Sequence, residues 1–279
     1  MTTSPTARSD EGRSGPTARP GPLEAHLRAA RDAGRKTLLP YITGGYDAGW
    51  VNYLRAAADA GADAIEIGIP FSDPVMDGST IQIASDRSLK RGTTPQSVLA
   101  DVRNADIGVP LIVMTYANIA YHAGYERFAH WLRDAGVCAA ILPDLPLEEV
   151  GPWAEAADGV GIETVLLAAP TAPDERLPRI CARARGFVYG VGLLGVTGVR
   201  TQLAASAELI AQRLKAVTDR PVIVGVGVST PQQAVQVCRS ADGVVVGSAV
   251  VQRMVDGAGP EGVGSLVREF RAALDASVR

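Results

Sequence analysis

Cysteine and histidine are scarce in this chain, with three of each. None has the spacing of a metal-binding set. Cys138, Cys181 and Cys238 lie far apart, each in a segment that reads as strand or helix. Such an odd, scattered set reads as small buried apolar residues in a reduced compartment, not as a disulfide framework or a zinc site. The expected location is therefore cytoplasmic. His26, His122 and His130 form no cluster, and each reads as a packing or surface residue. No apolar run approaches the ~20 residues of a membrane-spanning helix. A net charge of -3 offers no basic excess to attract nucleic acid.

What is present is bulk for a core. The chain has 279 residues, 47% of them hydrophobic. That suffices for one large α/β domain or two small ones, and a domain of this size buries roughly three quarters of its unfolded surface. Residues 1–22 stand apart, rich in Ser, Thr, Arg, Gly and Pro and almost without apolar side chains. They cannot bury enough to offset their ordering entropy, and they lack the apolar centre of a secretory signal. The expectation is a disordered N-terminal tail over 1–22 and one folded domain over 23–279.

Within that domain one theme repeats. A short β-branched strand ends in a loop of Gly, Pro and Asp, and an amphipathic helix follows. Strands are expected at Thr37–Thr43, Ala64–Gly68, Leu111–Tyr116, Ala139–Leu142, Thr164–Ala168, Phe187–Val191, Val222–Val224 and Val244–Val246. Helices among them include Trp50–Ala60, Tyr125–Ala135, Pro173–Ala184, Gln202–Ala216 and Pro231–Arg239, and an extra helix, Leu23–Ala33, precedes the first strand. Three helix-to-strand joints look alike, around Gly61, Gly136 and Gly243, where glycine can adopt positive φ as a helix cap. Strict alternation implies a parallel sheet covered by helices. The near-continuous apolar strands fit burial on both faces. Eight units match an α/β fold of the (β/α)8 TIM-barrel type. The rival, a doubly wound open sheet, wants a G-x-G-x-x-G turn after the first strand. Gly44-Gly45-Tyr46-Asp47 does not supply one.

In such a barrel the chemistry sits at the C-terminal ends of the strands. Glu66 lies in the second strand between Ile65 and Ile67, where a carboxylate is costly to desolvate unless paired or functional. Held by hydroxyls such as Tyr116 or Tyr189, it would be structural. Left among apolar neighbours, its pKa rises toward the operating pH and it can donate and accept a proton. Asp77 follows on a Pro/Gly-rich loop, where a turn role is the alternative. Asp73, between Ser72 and Pro74, reads as a turn or interface residue. The last three loops after strands are glycine-rich and free of acids. Backbone N–H groups and helix N-termini there suit an anion. Gly198, Gly227, Gly247 and Ser248 are the candidate phosphate clamp, with turn and capping roles as the plainer alternative.

The chain resembles the tryptophan synthase α subunit family over essentially everything after the tail. The resemblance rests on Glu66-Ile-Gly-Ile-Pro-Phe-Ser-Asp-Pro-x-x-Asp77-Gly-x-Thr-Ile-Gln82, Met114-Thr-Tyr116-Ala-Asn118, Pro143-Asp144-Leu-Pro146, Gly195-Val-Thr-Gly198 and Gly247-Ser248. It implies a (β/α)8 barrel lyase that cleaves indole-3-glycerol phosphate to indole and D-glyceraldehyde 3-phosphate by a retro-aldol reaction. By the same resemblance, Glu66 protonates indole C3 and takes the proton of the side-chain hydroxyl. Asp77 attracts the indole N–H. Tyr41, Met114 and Tyr116 line the indole pocket, and Tyr189 lies near the glutamate. Thr197 sits on a loop that closes over substrate and engages the aspartate.

No metal or other cofactor is implied on this chain. Pyridoxal phosphate belongs to the β subunit with which the family's α subunit pairs, and lysines here are few. The contact surface implied for that partner includes Asp73, Pro74 and Asn118. Three positions depart from the family's usual pattern: Tyr46-Asp47 replaces Asp-Pro, Ser79 replaces Pro, and Gly192-Leu193-Leu194 replaces a polar segment. They leave both acids intact and bear on coupling to a β subunit. The alternatives are a free-standing indole-3-glycerol-phosphate lyase that supplies indole to another pathway, a non-catalytic partner that activates a β subunit, and a different phosphate-binding barrel such as a sugar-phosphate isomerase.

Overall fold

The computed structural model describes residues 19–192, 200–225 and 227–278, and in it eight parallel strands close into a barrel in sequence order. They are β1 (Thr37–Thr43), β2 (Ile65–Gly68), β3 (Leu111–Met114), β4 (Ala139–Ile141), β5 (Glu163–Ala168), β6 (Val188–Val191), β7 (Val222–Gly225) and β8 (Gly243–Val246). Closure comes from β1 pairing with both β2 and β8, through Tyr41 opposite Glu66 and Leu39 opposite Val245. All eight strands lie where the sequence places them, to within two residues. The barrel among the two candidate architectures is therefore the one formed.

Side-chain alternation divides the apolar residues into two layers. Ile65 and Ile67 face outward into the layer between sheet and helices. Leu39, Ala64, Ile112, Ile141, Val165, Tyr189, Ile223 and Val245 fill the barrel interior. Helix α1 (Pro22–Asp32) packs Leu23 and Leu27 into that interior cluster from the N-terminal end. It has no side-chain cap of its own. Glu163 supplies one from β5, accepting hydrogen bonds from the Leu23 and Glu24 amides at 2.7 and 3.0 Å. Of the tail expected over 1–22, residues 1–18 lie outside the described residues.

The helices carry more than the sequence reading named. After β2 come α3 (Ser79–Lys90) and α4 (Pro95–Arg103); after β3 come α5 (Ala117–Ala123) and α6 (Tyr125–Asp134); after β8 come α11 (Ser248–Val255) and α12 (Gly259–Ala276). Between these pairs lie α2 (Val51–Asp59) after β1, α7 (Gly151–Val160) after β4, α8 (Arg176–Arg183) after β5, α9 (Arg200–Lys215) after β6 and α10 (Pro231–Val237) after β7. Of the three look-alike joints, Gly61 and Gly136 do turn at positive φ, 98° and 78°. Gly243 does not. It is the first residue of β8, and a Cβ there would stand 1.9 Å from Thr37 Oγ1. Close approach of β1 and β8, not a helix cap, requires that glycine.

Candidate active site

Five carboxylates are buried among the described residues: Glu24, Asp63, Glu66, Glu163 and Asp242. Four of them have partners. Glu24 pairs with Arg28 and Arg220. Asp63 accepts from the Leu38 amide and pairs with Arg35 and Arg271. Asp242 accepts from the Val222 amide and from Lys215. Glu163 caps α1. All four serve the N-terminal side of the barrel, where they fix strand starts and helix ends. Glu66 is the exception. It is fully buried, and neither carboxylate oxygen has a hydrogen-bond partner among the described residues. Burial alone pushes its pKa up to about 8.

Strand parity explains the placement. With Ile65 and Ile67 outward, Glu66 points into the barrel, level with Tyr41 on β1. Tyr41 and Tyr189 are the phenols nearest in charge to it. Burial raises both of their pKa values, and the Glu66 charge adds to the rise in each. Two glycines seat these rings. A Cβ on Gly68, at the end of β2, would lie 1.7 Å from the Tyr41 hydroxyl oxygen. A Cβ on Gly225, at the end of β7, would lie 1.9 Å from that of Tyr189. Each tyrosine thus leans from its own strand over the terminal glycine of the next. The sequence reading assigned neither glycine a role. Their signal was a glycine at an inward position of a strand that is otherwise β-branched.

Asp77 reaches the same place from the loop between β2 and α3. The Tyr116 hydroxyl accepts from the Met76 amide at 2.9 Å and hydrogen-bonds the Asp77 carboxylate. Burial nevertheless leaves the Asp77 pKa raised. The Asp77 charge acts on Tyr41 more strongly than Glu66 does. Tyr41 therefore lies within electrostatic reach of both acids. Phe71 stacks on Tyr116 with ring centroids 5.0 Å apart, a contact the sequence reading did not name. Gln82 Nε2 donates to the Asp77 carbonyl at 2.7 Å. Asp144, quoted only as part of a motif, accepts from the Ala117 amide at 2.8 Å and so holds the start of α5. Met114 ends β3 beside Gly68 and is half-buried.

Across the mouth, Gly247 precedes α11 and Ser248 is that helix's first residue. Gly247 lies close to Tyr41 and Ile81: a Cβ on it would be 3.8 Å from a carbon of each. Ser248 Oγ would lie 4.0 Å from a Cβ on Gly78, so the loop that carries Asp77 borders the α11 N-terminus. Gly227, two residues beyond β7, turns at φ 86°. Gly198 and Thr197 lie outside the described residues. A short extra helix after the last strand, with small residues at its N-terminus, is the usual anion seat of barrels of this kind. Tyr46 ties that helix in place. Its buried hydroxyl donates to the Met254 carbonyl of α11 at 2.9 Å and accepts from Arg87 of α3 at 2.7 Å. Arg87 also covers the Tyr46 ring at 4.3 Å.

A (β/α)8 barrel in which, among the described residues, one buried carboxylate is unpaired and stands near phenols, with a second acid on the loop beyond it, belongs to the barrel enzymes that work by acid–base chemistry. Comparison with known proteins gives the particular family. The family model "Tryptophan synthase alpha chain" matches residues 27–273. The chain is 45% identical over 256 residues to the tryptophan synthase alpha chain of Streptomyces coelicolor, covering 89% of this chain and 94% of that one. With that of Thermobifida fusca it shares 43% over 263 residues, covering 92% and 97%. Among solved structures, a tryptophan synthase from Mycobacterium tuberculosis superposes with a TM-score of 0.85 at 37% identity, covering 92% of this chain and 99% of that one. Tryptophan synthase subunit alpha from Legionella pneumophila gives 0.82 at 32%, with the same coverage. The chain belongs to the tryptophan synthase alpha chain family.

Proposed function

We propose that this chain cleaves indole-3-glycerol phosphate to indole and D-glyceraldehyde 3-phosphate, as the α chain of a tryptophan synthase in tryptophan biosynthesis. The barrel of residues 23–279 acts as one domain. The observation that carries the reading is Glu66, fully buried, unpaired among the described residues and with its pKa near 8. At neutral pH such a carboxyl holds its proton and can give it up, which is the state a retro-aldol cleavage requires at its start.

The steps follow from that state. Glu66 donates its proton to indole C3, and positive charge develops on the ring. Asp77, ionised, accepts a hydrogen bond from the ring N–H and offsets that charge. The Glu66 carboxylate then takes the proton of the hydroxyl on the carbon attached to the ring. That carbon becomes the aldehyde, its bond to C3 breaks, and the electron pair restores the indole double bond. Glu66 ends protonated again. Tyr41, Met114, Tyr116 and Tyr189 supply flat walls for the ring. Gly198, Gly227, Gly247 and Ser248 hold the phosphate, and Thr197 closes over Asp77.

The proposed chemistry draws only on this chain's residues, and pyridoxal phosphate is assigned to a β-subunit partner. Docking of that partner is supported by exposed apolar side chains on and beside the loops after β2 and β3, namely Val75, Met76, Ile83 and Tyr121. Asp73 is exposed on the loop after β2, and Asn118 is exposed at the start of α5 after β3. Three free cysteines and the absence of a helix able to cross a membrane, among the described residues, accord with the cytoplasm.

The test incubates the purified chain with indole-3-glycerol phosphate, alone and then with a tryptophan synthase β subunit. Slow indole release that rises when the β subunit is added is the expected result. Fast release by the chain alone makes it a free-standing lyase, and none under either condition overturns the reading.

A further inference from the structure

Tyr41 is wedged. Its hydroxyl, Cζ and Cε2 atoms lie 1.7, 2.3 and 2.8 Å from where a Cβ on Gly68 would be. Its own Cβ lies 3.8 Å from the corresponding point on Gly247. The ring is rigid, buried, and held by only two side-chain torsions, so it cannot yield to an added methyl by a small rotation. It must leave its seat over the end of β2. The acids whose charges bear on it are Asp77 and Glu66, the latter its partner in register, so a displaced ring disturbs the surroundings of both.

We propose that Gly68 is a positioning residue for the cleavage. By lacking a side chain it lays the Tyr41 ring flat over the end of β2 and so fixes the surroundings of Glu66 and Asp77. The three atoms nearest to a Cβ on Gly68 all belong to Tyr41. Gly68 acts through Tyr41 alone, and this distinguishes it from a glycine needed for its backbone. The φ of Gly68 is not in the positive region where other residues are strained, whereas that of Gly45 on the neighbouring loop is. Alanine at 68 is therefore objectionable only for what its methyl meets.

That restriction makes the inference testable by suppression, which rests on the proposed lyase reaction only for its activity readout. G68A should lower kcat/KM for indole-3-glycerol phosphate about a hundredfold, the scale of a misplacement near 1 Å. Y41L removes the hydroxyl, Cζ and Cε atoms, so G68A/Y41L should return to within about tenfold of Y41L alone. Y41F leaves Cζ and Cε2 in place, so G68A/Y41F should stay as impaired as G68A. Displacing the ring also admits water beside Glu66. The alkaline limb of the G68A pH–rate profile should therefore move to lower pH and return in G68A/Y41L. Thermal unfolding of the same variants reads the clash without the reaction: the drop in Tm caused by G68A should shrink in the Y41L background and persist in Y41F. Equal activity of G68A and wild type overturns the proposal. So does rescue by Y41F as complete as by Y41L, or a G68A Tm penalty that Y41L leaves unchanged. A wild-type chain that does not cleave the substrate would instead count against the proposed function, while the Tm cycle would still decide the Gly68–Tyr41 contact.

Discussion

At the scale of single residues, Glu66 illustrates how environment sets the role of a side chain. Four other buried carboxylates have amides or cations as partners, and Glu66 has neither among the described residues. Its pKa near 8 stands against an ordinary 4.5. Between those two values the native protein holds a proton that the unfolded chain has released. Stability therefore falls as pH rises through that window and levels off above it. E66Q carries no such proton, so it should gain stability over wild type progressively from about pH 5 to pH 8, on the order of a few kcal/mol. Thermal melts of both proteins across that range measure the gap; a gap that narrows with pH would contradict the assignment. The same variant should release no indole, because an amide cannot pass a proton. D77N should be severely but less completely impaired, since part of the aspartate's effect is electrostatic. In wild type, kcat/KM should decline above about pH 8 as Glu66 loses its proton. The sequence showed an acid between two isoleucines. That it has no partner among the described residues required knowing what the other seven strands place around it.

At the scale of elements, the mouth is held together by contacts between segments remote in sequence. Helices α3 and α11 pack side by side, so the loop that carries Asp77 borders the start of α11. Tyr46 bridges the two helices through Arg87 and the Met254 carbonyl. This residue is one of the three departures from the family's usual pattern. Its role is to fix the distance between the loop acid and the helix proposed to hold phosphate. Y46F should cost about 1 kcal/mol, the net worth of such hydrogen bonds. Its effect on catalysis should fall mainly on KM, with kcat nearly unchanged, as steady-state kinetics would show. A fall in kcat alone would place Tyr46 elsewhere in the mechanism. The strands were readable because each is a short β-branched run between Gly/Pro-rich loops. The paired helices after β2, β3 and β8 were less so. Helix α3, Ser79–Lys90, is rich in Ser, Thr and charged residues, and its thin apolar face is defined by the α11 and β1 surfaces it meets.

At the scale of the whole molecule, the two ends of the barrel divide the work. The N-terminal end is sealed by α1, whose start Glu163 caps, and is stitched by ion pairs around Glu24, Asp63 and Asp242; the C-terminal end holds Glu66, without a hydrogen-bond partner among the described residues. E163A removes the acceptor for two buried amides at the α1 N-terminus and should cost about 2–3 kcal/mol. Because Glu163 is at the far end from Glu66, kcat should remain near wild type at temperatures where the variant is folded. Chemical denaturation and steady-state assay together test this separation, and a parallel loss of activity would show that the two ends are coupled. The sequence by itself determined the eight-fold alternation, the closed parallel sheet and the two acids, because hydrophobic period, β-branching and motif spacing are local properties of the chain. The tertiary structure alone decided that Gly68 and Gly225 seat tyrosines and that Gly243 serves strand contact in place of a cap. It also decided which of the five carboxylates buried among the described residues has no partner among them. Those are outcomes of closure, which brings side chains from different strands to within one methyl group of each other.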